Sequence, residues 1–72
     1  MSFQVAIEAA TRMVVGVGDQ EDYTFAEGAD LGPEYPIVTI DDQAQLDVLL
    51  GLPMGGAFLS QDGTRVLPEP EA

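Results

Sequence analysis

Residues 41–51, DDQAQLDVLLG, are the clearest helical segment of this chain, and the segment is too short to stand alone. Leu46, Leu49 and Leu50 recur at i, i+3 and i+4 and make one apolar stripe. Asp41 or Asp42 can cap the N-terminus, Gln45 stands three residues after Asp42 as in a capping box, and Gly51 supplies the stop. The spacing predicts a helix over 42–50. A helix of about two or three turns does not persist in water, so these leucines must be buried against something. The other apolar runs are short and strand-like, which makes that something a sheet.

Phe3 to Glu8 alternates, with Phe3, Val5 and Ile7 on one side and Gln4, Ala6 and Glu8 on the other, the period of a half-buried strand. Met13 to Val17 is apolar and β-branched, and EAAT between the two runs is short enough for a tight connection, so residues 3–17 read as a hairpin. Gly16 and Gly18 weaken the end of its second strand and point to a bulge or a close backbone approach. PIVTI, 36–40, is the clearest single strand, opened by a proline and stopped by Asp41 and Asp42. In AFLSQDGTRVL, 57–67, Asp62-Gly63 between two apolar runs is the strongest hairpin signal in the chain. The expected fold is α+β: a small, mainly antiparallel sheet built from two hairpins plus one central strand, with one short helix packed on a face. One domain is expected over 1–68, with a flexible acidic tail over 69–72.

Residues 18–36 connect these elements and carry Asp19, Glu21, Asp22, Glu27, Asp30 and Glu34. YTF, 23–25, alternates and reads as a short strand; the rest is turn-rich. An excursion of this length is a natural binding surface. Its aromatic and apolar residues Tyr23, Phe25, Leu31 and Tyr35 are candidate partner contacts, as are Leu52 and Met54 in the glycine-flanked turn LPMGG.

Charge and residue chemistry narrow the function. The chain has 13 carboxylates against two arginines, a net charge of −11, no histidine and no cysteine. Phosphate backbones and anionic lipids are poor partners for such a surface. The missing histidine removes the usual general base and the commonest transition-metal ligand, and the missing cysteine removes disulfides and thiolate metal sites. Neither Ser2 nor Ser60 has a possible histidine partner as a nucleophile. VVGVGD begins like a dinucleotide-binding loop but lacks the third glycine. Asp19, Glu21 and Asp22 are the weak candidates for a hard cation, without the full calcium-loop pattern. The expectation is a chain that is not an enzyme and needs no cofactor. No basic leader precedes an apolar run, and no segment reaches the ~20 apolar residues of a membrane span, so a soluble, unprocessed chain is expected.

The two arginines share a local context, ATRMVV at 10–15 and GTRVLP at 63–68. Each precedes the second strand of an expected hairpin, which pairs Arg12 with Glu8 and Arg65 with Asp62 as register-fixing contacts. Arg65, nearer a free edge, is also a candidate contact to a partner chain.

FQVAIEAATRMVVGVG, together with DDQAQLDVLLGLP and GGAFLSQDGTRVLP, resembles short proteins and tail-fibre-associated modules of tailed bacteriophages, where compact hairpins end in LSxDGTxVxP-like turns. The resemblance implies a small virion-associated accessory protein, located in the virion or the host cytoplasm and lacking enzymatic activity. Small sheets leave edges exposed and small cores leave thin margins, so a homo-oligomer or a subunit of a larger protein assembly is expected. The rival reading is an acidic DNA mimic that occupies the groove of a nucleic-acid-binding protein.

Overall fold

The computed structural model describes residues 2–53 and 55–71. Five strands and one helix follow one another as β1 (Phe3–Ile7), β2 (Val14–Val17), β3 (Ile37–Ile40), α1 (Gln43–Leu50), β4 (Phe58–Leu59) and β5 (Val66–Leu67). The expected small α+β fold is the one found. The expected central position of the strand at 36–40 is corrected: the strands divide between an antiparallel sheet in the order β2-β1-β3 and a two-stranded ribbon β4-β5, and β1, which pairs on both sides, takes the centre while β3 lies at an edge. Among the described residues a single isolated bridge, Met13 to Phe58, joins the two sheets.

The alternation of β1 decides what lies on each face. Phe3, Val5 and Ile7 are buried against Ile40, Leu46, Leu49, Leu59 and Val66, so one core is shared by both sheets and the helix. Ala6, on the opposite face, is also fully buried. That face is covered by the excursion after β2: the Phe25 amide donates to Gln4 Oε1 at 2.7 Å, and Gln20 and Thr24 close a tight loop at 3.0 Å. Gly18 makes the approach possible. A Cβ there would stand 2.4 Å from the carbonyl carbon of Thr24. No strand forms over 23–25. Glu21–Tyr23 is a short 3-10 turn in which Asp22 and Tyr23 take left-handed φ values of 66° and 58°, so the alternation of YTF reflects one half-buried ring and not a ladder.

The helix is capped more simply than expected. Asp42 Oδ1 accepts from the Ala44 amide at 3.0 Å, but Gln45 turns away from the capping box and accepts from the Val66 amide at 2.9 Å, which ties α1 to β5. Leu46 and Leu49 are buried as predicted, whereas Leu50 is 57% exposed. Leu50 follows Leu49 by about 100° around the axis, which carries it out of the interface with the sheet.

Both arginine pairings are overturned. Arg12 lies in the left-handed region, φ 63°, at the end of a turn closed by its own amide on the Glu8 carbonyl at 2.7 Å. From there its guanidinium donates to the Ser60 carbonyl at 2.8 Å and the Leu59 carbonyl at 3.4 Å. Glu8 instead accepts from the Thr11 hydroxyl. Arg65 pairs with Glu71 at 3.5 Å, not with Asp62, and Glu71 also accepts from the Gln61 amide at 2.8 Å. Residues 69–71 of the expected tail thus include one that folds back onto the second hairpin.

Candidate functional site

The outer edge of β2 is where the structure leaves both backbone and apolar side chains unoccupied. The Gly18 amide donates to the Gln4 carbonyl at 3.0 Å, and Gly16 pairs with Ala6. Bonding alternates along an antiparallel ladder, so the N–H and C=O of Val17, between these glycines, point away from β1. Val15 has no partner on β1, because Ala6 faces Gly16 while Ile7 faces Val14. It is the extra residue of a β-bulge, expected from Gly16 and found one position earlier. Because C=O and the following N–H point in opposite directions across a trans peptide, the Val15 carbonyl faces outward as well. No described residue bonds these three groups. Upstream the edge is closed: the Val14 amide donates to Ala57 at 2.8 Å and the Leu59 amide to Arg12 at 2.9 Å.

Beside that open edge runs a groove of about 340 Å³, lined by Val15 and Val17 of β2, Leu49 and Leu50 of α1, and Leu52 and Pro53 of the following turn. Every one of these side chains is apolar. No arginine or carboxylate lines it. Asp47 sits one turn before Leu50, where i and i+3 share a helix face, and Asp19 lies two residues beyond Val17; both are exposed. The groove is therefore apolar in its floor and walls. No protein-family model, curated protein or solved structure matches the chain. The surface must be read from its own chemistry.

Of the residues singled out by sequence, Leu52 belongs to this groove, and Met54 lies outside the described residues. The others scatter. Phe25 is half-buried over Gln4 and Ile37 on the second face of the sheet. Tyr35 lies beside Glu8, Ala9 and Ala10 at the far end of the first hairpin. Tyr23 and Leu31 are exposed at separate points of the excursion, and Arg65 is held by Glu71. Among the described residues no three acidic side chains gather to hold a metal ion, and Asp19, Glu21 and Asp22 are each exposed. Sequence reasoning missed Val15 and Leu50 because it assigned each to a buried element. Gly16, next to the bulged residue, was the one available signal, although a Cβ there would meet only Ala6 at 3.9 Å.

A second, polar centre holds the turn of the β4-β5 hairpin. Ser60 is fully buried; its hydroxyl donates to Asp62 Oδ1 at 2.6 Å and accepts from the Arg65 amide at 3.1 Å. The Thr64 hydroxyl and amide donate to the same carboxylate oxygen at 2.8 and 3.1 Å. The Ser60 hydroxyl, then the Thr64 hydroxyl and amide, hold the Asp62 carboxyl down from 3.8 to about 2, with Arg65 the smallest contributor. With its hydrogen-bond partners all inside the turn, this cluster organises a loop.

Proposed function

We propose that this chain is a non-enzymatic interaction protein that docks onto another protein through the groove between β2 and the C-terminal end of α1. The observation that carries the reading is the coincidence of an open, uncharged strand edge with an apolar groove bordered by Val15 and Leu50, which are 45% and 57% exposed. Natural sheets protect such edges with charge, proline, short strands, bulges or a covering element; Val14–Val17 carries neither charge nor proline, and its four residues and the bulge at Val15 still leave three outward backbone groups unpaired. An edge without charge, proline or cover beside an apolar groove is best understood as a surface that a partner covers. Within that reading we assign the chain to the particle of a tailed phage, on the likeness of its LSQDGTRVLP hairpin to turns of tail-associated modules.

The test is incorporation. Density-gradient-purified particles from the native source should contain the chain at a fixed ratio to the other components. Leu50→Ser, at an exposed position, should leave the fold intact by circular dichroism and lower that ratio. Absence of the wild-type chain from every particle fraction would remove the virion assignment.

The DNA-mimic reading keeps one supporting observation: Arg12 is spent on backbone carbonyls and Arg65 on Glu71, so the protein presents an almost wholly anionic exterior. Mimicry predicts binding to a basic nucleic-acid-binding groove that is abolished by salt and indifferent to Leu50→Ser.

A further inference from the structure

We propose that the occupant of the groove is an extended, lysine- or arginine-bearing segment of another protein, added to β2 as a further antiparallel strand. This rests on the reading of the groove as the docking site and names the partner's chemistry and binding mode. Three outward backbone groups, the Val15 carbonyl and both groups of Val17, form the hydrogen-bonding pattern that an added strand completes, while alternate side chains of that strand drop into the groove. Extended chain fits the opening better than a helix, because a helix satisfies its own backbone and would leave these groups unpaired.

Charge selects the partner. The groove has no charged side chain in its lining, and the chain around it carries 13 carboxylates against two arginines, which are engaged by the Ser60 and Leu59 carbonyls and by Glu71. A second copy would bring a net charge of −11 against another −11. A segment alternating apolar and basic residues places its apolar side chains against Val15, Leu50 and Leu52 and its cations toward solvent, where the field of a chain with a net charge of −11 attracts them. This long-range attraction adds to the strand pairing.

The probes are two nine-residue peptides, one alternating valine with lysine and the other valine with glutamate, titrated into the isotope-labelled chain at low and moderate salt. The lysine peptide is expected to shift the amide resonances of β2, Leu49, Leu50 and Leu52 and to slow exchange of the Val17 amide by about tenfold or more at saturation. Leu50→Ser should weaken it by about tenfold, and the glutamate peptide should not bind. Shifts spread over the acidic residues 19–30 with no added protection at Val17 would overturn strand addition in favour of diffuse attraction. Equal binding of the glutamate peptide would overturn the charge selection. A Val17 amide already protected without peptide, in a way that depends on chain concentration, would make a second copy the occupant. Loss of particle incorporation in Leu50→Ser, combined with indifference to both peptides, would remove only the strand mode; full incorporation of that variant would remove the docking site itself.

Discussion

Arg12 shows how one side chain can hold two elements together at a local cost. A non-glycine residue in the left-handed region is disfavoured by roughly 1–2 kcal/mol, and at Arg12 this is offset by charge-assisted bonds to the Ser60 and Leu59 carbonyls. Hydrogen bonds to a charged group contribute about 1.5–3 kcal/mol. Arg12→Ala keeps the strained backbone and loses the bonds, so urea unfolding should show a loss of roughly 1–3 kcal/mol. Arg12→Gly should lose less than Arg12→Ala, because it releases the strain. Equal losses would mean that the φ value carries no energy. Asp62 gives a pH signature. Its carboxyl titrates near 2 in the folded chain against 3.8 ordinarily, so its stabilising contribution is complete above about pH 5 and fades as pH falls from 4 through 2. The stability gap between the wild type and Asp62→Asn should be constant near neutrality and close across that window. A gap unchanged at pH 2 would show that the Ser60 and Thr64 bonds do not favour the ionised form.

The elements were legible where local pattern and packing agree. β1 alternates because one of its faces meets the core, and β3 is β-branched and stopped by Asp41-Asp42. The two hairpins and α1 lie within a residue or two of their expected bounds, although β4 and β5 keep only two residues each. Failures came where long-range contacts decide. Gln45 is placed for a capping box, but the Val66 amide, brought to it by the second hairpin, takes its side-chain oxygen instead. The bulge at Val15 exposes a valine that periodicity would bury. Gly18 depends on a nearer contact that periodicity equally hides, since its missing side chain admits Tyr23 and Thr24, five and six residues on, against the strand. Gly18→Ala should therefore lift the loop 19–25 from the sheet at a cost of roughly 1–3 kcal/mol. Hydrogen exchange should accelerate at Tyr23 and Phe25 while the β1-β3 amides stay protected. Protection unchanged at Phe25 would mean that the loop accommodates a methyl group without leaving.

The molecule measures 32 × 27 × 21 Å and carries a net charge of −11. At about 0.01 M ionic strength the Debye length is ~30 Å, so each carboxylate feels nearly all the others; at about 0.15 M it is ~8 Å and only neighbours interact. Self-repulsion of this kind destabilises the compact state. The melting temperature should rise as sodium chloride is added from roughly 10 to 150 mM, in scanning calorimetry at neutral pH. A flat or falling curve would show that attractive pairs such as Arg65–Glu71 outweigh the repulsion. The described residues include no helix long and apolar enough to cross a membrane.

Local rules were enough to foresee a small α+β fold with its strands, its one helix and its leading core residues, because period and turn chemistry act over a few neighbours. They could not foresee where Arg12 and Arg65 would find their partners, since a long cation reaches whatever acceptor the fold brings near it. The proposed docking surface was legible only in part. Leu52 was found from its flexible frame, but the groove itself exists because a bulge turns Val15 outward and the register of α1 leaves Leu50 uncovered, and both depend on how β2 and α1 meet across the core.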